Sequence, residues 1–469
     1  MPEPRAVPLS RLVPALMAPT FLVITTMAMF AVAIPSIRVE FALTADVTSW
    51  TVIAYTLPFM VFMPVYGRLG DGIGKKALFI AGIVVFIVGS LGVLFAPSLT
   101  WIFVARALQG AGAGGINPLS MAIIIENAPP EKRGNALGTW NSIGPISGIV
   151  GPLIAGAMID SFGWRSILVP ALVIGVFAVY LSLRLVPRTP GTSTRSAPAV
   201  IRSFDWVGVF LLTLSSTFLV FYTSSRPITG LAPLTDFRLF GGFLAAAVGF
   251  VVWERRRPSP FVDLRLFRNR NFTFASISVG MRMALMGGIA FIAPLLVTDL
   301  FGFSAAATGL VLMLHAAALL VTMRLGGYWI DRWKSRTQIV AGLLIESVAM
   351  VAFAVMPPSA GIVYFVVVLV VHGLGAGFCL AALHIFALAG VPGDRSATAA
   401  GLYSMVRFGG AMIGTAVGGV VLASGLAAFG VTYVAYSRAF WFYLVVSLIG
   451  ALAALGLTRS VPGLHASDE

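Results

Sequence analysis

Fourteen segments of this 469-residue chain are long and apolar enough to cross a bilayer. A crossing needs roughly 20 consecutive apolar residues, and hydrocarbon admits only backbones that satisfy their own N–H and C=O groups, as helices or closed barrels do. Segments of this length with few charges predict helices, at about 12–34, 49–67, 77–96, 99–125, 134–160, 164–186, 204–223, 238–253, 272–298, 305–330, 337–356, 361–388, 398–424 and 438–458. With 58% hydrophobic and only 10% charged residues, the chain lies far from the quarter-charged composition of soluble domains. The fold class is an all-α membrane protein. The single cysteine, Cys379, falls inside an apolar run and excludes a disulfide framework within the chain.

A formal net charge of +14 invites a nucleic-acid reading, but the distribution of the basic residues argues against it. If both termini are cytoplasmic, 22 of the 31 lysines and arginines collect in the segments on that side, among them Arg68, Lys132, Arg133, Arg255, Arg256, Arg257 and Arg336. The opposite side holds only Arg38, Arg165, Arg226, Arg238 and Arg438, while Arg106, Arg282, Arg324 and Arg407 fall within spans. This asymmetry is the positive-inside pattern, so both termini are expected in the cytoplasm, with anionic lipid headgroups as partners and no nucleic acid. The first apolar stretch is too long for a signal peptide and is expected to stay as the first helix.

Self-similarity divides the spans. Gly67-Arg68-Leu69-Gly70-Asp71 joins spans 2 and 3, and Gly327-Tyr328-Trp329-Ile330-Asp331 joins spans 10 and 11, each with Gly four residues before Asp and a basic cluster after it. The glycines of span 5, from Gly138 to Gly156, have counterparts in span 13. Two six-helix bundles follow, residues 1–187 and 272–469, with residues 188–271 carrying two extra spans between them. Residues 187–203, rich in Pro, Ser, Thr and Arg, read as a flexible linker; the arginines and apolar stripe Leu264, Leu266, Phe267 of residues 254–271 read as a short amphipathic helix at the membrane surface.

These motifs carry a resemblance. The chain resembles the major facilitator superfamily and, within it, the 14-span drug:proton antiporters. The family's loop between helices 2 and 3 is matched by Gly67, Leu69, Asp71, Gly74, Lys75 and Lys76, with Gly72 where Arg is usual. Its fourth-helix pattern is matched by Arg106, Gln109, Gly110 and Gly112, and its antiporter pattern in helix 5 by Gly138, Gly151, Pro152 and Gly156, although Ser147 and Ala155 replace two glycines. Residues 260–272 resemble the run before the ninth helix of the 14-span group. The resemblance implies a proton-coupled exporter of hydrophobic or amphiphilic small molecules that works by alternating access, with protons and a small-molecule or lipid-like substrate as partners, as a monomer.

On this reading Gly67, Asp71, Gly74, Lys75 and Lys76, with Asp331 and Arg332 in the repeat, form a conformational latch: a carboxylate at a helix end can cap a neighbouring helix in one shape and not the other. Lys75 and Lys76 are expected at the lipid headgroups. Arg106 and Gln109, one turn apart on one face, serve either substrate and proton or a purely structural purpose. Arg282, His315, Glu346 and Arg407 are the other candidates along the pathway, with His372 and His384 as further intramembrane ionisable groups. Glu346 is the only acid clearly at mid-depth and either pairs with Arg324, carries a proton, or stays protonated against lipid.

One departure bears on the cargo. Many 14-span members carry an Asp in helix 1, where this chain has Thr25 and Thr26, and no acid falls in that span. Cationic substrates therefore lack the usual counter-ion, which leaves a lipid or lipid-precursor exporter, or an importer of an anionic metabolite through Arg106, Arg282 and Arg407, as alternatives. A membrane sensor that transports nothing is a remoter one. No nucleophile–base arrangement, metal-ligand spacing or phosphate-binding glycine loop is recognisable, so neither enzyme activity, cofactor nor metal is expected.

Overall fold

The computed structural model describes residues 7–187, 197–224, 230–257, 260, 262–329, 335–388, 391 and 396–458. Fourteen helices are long and apolar enough to cross a membrane: α1 (Leu9–Glu40), α2 (Ala45–Gly70), α3 (Lys75–Leu94), α4 (Leu99–Asn127), α5 (Glu131–Phe162), α6 (Trp164–Leu185), α7 (Trp206–Ser224), α8 (Phe237–Arg256), α9 (Arg270–Phe301), α10 (Ala305–Gly326), α11 (Arg336–Ala354), α12 (Ile362–Leu388), α13 (Ala399–Phe429) and α14 (Tyr433–Leu455). Among the described residues there is no strand. Several helices outrun their apolar runs, α1 by a full turn beyond Ile37 to Glu40, because the backbone ladder continues into the polar interface at no hydrocarbon cost.

Packing follows the sequence repeat. In the first bundle α1 lies against α4, α5 and α6, and α3 and α4 lie together, with α2 on α4 and α3 on α6; α9 to α14 reproduce these contacts in the same order. The bundles meet along two related seams, α2 against α13 and α5 against α10, with α1 touching α9 between them. The inserted α7 fills the groove beside α2 and α13, where Trp50 donates its ring N–H to the Ser224 carbonyl (2.9 Å) and packs on Phe221 (ring centroids 4.9 Å apart). Of the spanning helices, α8 leans mainly on α7 and presents Leu244 and Val248 outward, as a helix bordered by lipid does.

Glycines set two of the close approaches. Within α4 the ladder is broken at Gly114 and Gly115, where an added Cβ would lie 2.7 Å from the Phe59 carbonyl and 2.3 Å from the Tyr66 ring. Gly74, at φ +102°, closes α2 and permits α3 to begin at the next residue, a backbone that L side chains rarely adopt.

The segments flanking the insertion differ from expectation. Of residues 254–271, 258, 259 and 261 lie outside the described residues, and the described stripe is a five-residue 3-10 turn, Leu264–Arg268, not an α-helix; it buries Leu266 in an apolar cluster with Val262, Phe272 and Phe250. Residues 188–196 of the expected linker lie outside the described residues, whereas Ala197–Ser203 is helical and places Val200 against Gly72.

Candidate transport pathway

Gradation along the two seams defines where a pathway can run. At the face opposite the termini the seams are tight: an added Cβ on Gly156 of α5 would lie 2.6 Å from the Ala305 carbonyl of α10, and one on Gly419 of α13 would lie 2.8 Å from Ser49 of α2. Near mid-depth they are looser, with Gly148 at 3.2 Å from Ala316 and Gly409 at 3.1 Å from the Met60 sulfur. Towards the terminal face Gly138, Gly144, Gly401 and Gly67 have nothing within 4 Å. The gap between the bundles therefore opens to the side that carries the termini and is shut at the other.

Polar ties reinforce the shut face. The Arg38 guanidinium of α1 donates to Asp299 of α9 at 2.6 Å, and the same carboxylate accepts from the Tyr436 hydroxyl of α14. The Asp160 carboxylate at the end of α5 accepts from the first backbone N–H groups of α10. Glu40 receives Arg165 and the Trp164 ring N–H within the first bundle. A shallow cavity of about 800 Å³ lies among these groups, lined in part by Ser36, Arg38, Asp160 and Asp299. None of these ties was derived from the sequence, where Arg38 and Arg165 stood out only as the few basic residues on this side.

Inside the first bundle Arg106 is held in place. Its Nε donates to the Thr51 carbonyl of α2 (3.0 Å), its Nη1 to Gln109 (2.7 Å), and its plane lies 3.9 Å from the Phe30 ring centroid and 4.4 Å from that of Tyr55. Gln109 passes the network to Ser90 of α3 (2.8 Å). Both side chains are buried, and the geometry is that of a cation whose charge is spread over a carbonyl, an amide and two aromatic faces.

The second bundle holds two further clusters. Arg282 of α9 donates twice to the Ala376 carbonyl of α12 (3.0 and 2.7 Å) and lies 3.7 Å from Glu346 of α11. Glu346 is wholly buried, neither pairing with Arg324 nor meeting lipid, because α11 turns this residue inward towards α9 and α12. His315 and His372 approach each other at 2.9 Å. Arg407 of α13 approaches His384 of α12 (3.4 Å), whose ring meets Tyr403 edge-on. Of the pathway candidates, Arg106, Gln109, Arg282 and Glu346 are buried within bundles, while His315 and Arg407 are half-buried.

The candidate latch is only partly in view. Asp71 lies in the last turn of α2's helical extension, but its side chain is outside the described part, as are Asp331 and Arg332. Lys75 is buried and pairs with Glu126 at the end of α4, while Lys76 donates to the Leu183 carbonyl (2.9 Å). In α5, Gly151 and Gly156 sit at close approaches, Gly151 against Ala28 of α1, and Pro152 offers its carbonyl beside Gly309 of α10; Gly138 faces open space.

Two bundles of like packing around a gap open at one end define a membrane transporter. The Major Facilitator Superfamily is matched over residues 16–415, and the chain belongs to that family. It is 31% identical over 403 residues to the multidrug resistance protein Stp of Mycobacterium tuberculosis, covering 85% of this chain and 73% of that one. It is 26% identical over 388 residues to the riboflavin transporter RibZ of Clostridioides difficile, covering 82% of each. Among solved structures, the peptide transporter POT in complex with sulfate superposes with a TM-score of 0.72 at 14% identity over 96% of both chains, a likeness of fold alone.

Proposed function

We propose that this chain is a proton-coupled exporter of amphiphilic small molecules in a bacterial cytoplasmic membrane, with both termini cytoplasmic, acting as a monomer by alternating access. The observation that carries this reading is the gradation of the α2–α13 and α5–α10 seams, tight at one face and open at the other. With the termini inside, this is the inward-facing form. Bundles that rock about the mid-depth contacts Gly148–Ala316 and Gly409–Met60 would exchange which end is shut. The relative Stp, named as a multidrug resistance protein, supports drug-like cargo; RibZ, named as a riboflavin transporter, keeps the range of cargo wide. Residues 1–187 and 272–469 are the moving bodies, with 188–271 riding on the first seam. Asp71 and its repeat partner Asp331 serve the opposite shape, latching the terminal face when it shuts.

Proteoliposomes carrying an interior pH dye test the coupling. Addition of an amphiphilic dye that is transported should move protons the other way across the membrane, and Asp71→Asn should slow this exchange without lowering the amount of folded protein. Transport that leaves the interior pH unchanged would remove proton coupling from the reading.

A further inference from the structure

Glycines at 138, 151 and 156 in α5 recur at 401, 414 and 419 in α13, a constant offset of 263 residues. At that offset Arg407 occupies the position that Gly144 holds in α5. Gly144 faces open space, with nothing within 4 Å of where a Cβ would stand. The bundles repeat the same packing, so Arg407 addresses the same gap from the opposite wall.

The neighbours of Arg407 on its own helix agree. At 100° per residue, Gly410 and Gly414 lie on one flank of it and touch α9, Tyr403 lies beside them against His384 of α12, and Phe408 lies on the other flank against Phe59 of α2 (4.7 Å, edge-on). Arg407 stands between these sectors, half-buried where both flanks are packed, with its guanidinium at His384 and 5.1 Å from the Phe408 ring centroid.

What this guanidinium lacks is a counter-charge. Arg106 and Arg282 are each committed, one to a carbonyl and two rings, the other to a carbonyl and Glu346. Among the described residues no carboxylate lies within ion-pair distance of Arg407; its Nη1 meets the His384 ring nitrogen, its plane lies 5.1 Å from the Phe408 ring centroid, and its Nε is buried without an acceptor. In the opposite bundle Thr25 and Thr26 of α1 are buried, and the one acid of that helix, Glu40, is held by Arg165 and Trp164 at the shut face. A guanidinium without a carboxylate partner, half-buried beside the gap, attracts an anion and repels cations.

We propose that Arg407, positioned by His384, is the docking point for an anionic headgroup, and that the preferred cargo is an amphiphilic organic anion bearing a carboxylate or sulfonate. This rests on the transporter reading and specifies its substrate class.

The test reads binding alone, with no proton gradient, so that a failure of proton coupling leaves it standing and its own failure leaves the exporter standing. Purified protein in nanodiscs is titrated by fluorescence anisotropy with carboxyfluorescein and with rhodamine 6G, xanthene dyes of opposite charge. Carboxyfluorescein should bind, and Arg407→Gln should weaken it about 10-fold or more, while Arg407→Lys keeps most of the affinity and rhodamine 6G does not gain from Arg407. If Arg407→Gln does not fold, competition on the unaltered protein decides: octanesulfonate should displace carboxyfluorescein and octyltrimethylammonium should not. Binding of neither dye, tighter binding of rhodamine 6G, carboxyfluorescein binding indifferent to Arg407→Gln, or equal displacement by both amphiphiles would each overturn the assignment.

Discussion

The Asp160 carboxylate caps a helix of the opposite bundle, its two oxygens accepting from the N–H groups of Ala305 (3.0 Å) and Ala306 (2.9 Å). A negative charge at a helix N-terminus satisfies donors that have no partner within the helix and meets the positive end of its dipole. Because donor and acceptor belong to different bundles, the contact exists only while this face is shut. Asp160→Ala should therefore favour the form open at this face by about 1 to 2 kcal/mol, a population shift of roughly 5- to 30-fold. Labelling of a cysteine placed at Ser36, which lines the cavity on this face, by a membrane-impermeant maleimide should speed up accordingly. An unchanged rate would mean that the cap contributes nothing to closure.

Arg38 and Asp299 make the second tie across the bundles, and Tyr436 shares the same carboxylate oxygen. Both charged side chains are about four-fifths buried, at 18% and 20% exposure, so screening by solvent is partial and the pair outranks an ordinary surface ion pair. Arg38→Ala and Asp299→Ala should each raise labelling at Ser36, and the double variant should be less than additive by about 1 kcal/mol. Full additivity would show that the two side chains do not act together.

The spans and their repetition were legible because hydrocarbon imposes length and polarity on every helix that crosses it, and those are properties of the sequence in one dimension. Azimuth was not legible. Glu346 could be placed at mid-depth from its neighbours, yet whether it faced lipid, Arg324 or Arg282 depended on how α11 turns against α9 and α12. Arg38 and Asp299 lie 261 residues apart, and nothing local to either marks the other as its partner. The stripe Leu264, Leu266, Phe267 read as one face of a surface helix, whereas in the fold it is a 3-10 turn whose Leu266 packs on Val262, Phe250 and Phe272, a contact set by distant parts of the chain.

Gly414 of α13 tests how closely the helices of the second bundle must approach. An added Cβ would lie 2.1 Å from the Ala284 carbonyl and 2.5 Å from its Cα, both backbone atoms of α9. Neither can give way without moving a helix, so Gly414→Ala should destabilise by about 1 to 3 kcal/mol or more despite the better helix propensity of alanine. Thermal unfolding in detergent should show a clear loss against Gly401→Ala, a substitution on the same helix into open space. Equal stability of the two variants would mean that the approach of α9 and α13 at Gly414 contributes nothing to stability.

Gly144 separates folding from transport. In this form nothing lies within 4 Å of its missing Cβ, so a side chain at this position starts into open space, and Gly144→Leu gains helix propensity of up to about 1 kcal/mol. The cost falls on the other form. Rocking that shuts the terminal face must bring this part of α5 towards α10, and a leucine there would fill space that the closing wall needs. Gly144→Leu should accordingly unfold at the same temperature as the natural protein or above it, and its Ser36 cysteine should label more slowly, because the face opposite the termini stays shut. Transport in proteoliposomes should fall at least about 10-fold, the consequence of only about 1.4 kcal/mol against the alternate form. A Gly144→Leu variant that transports at the natural rate would show that the two walls never approach at this depth, and with that the rocking motion assigned to the bundles would fail.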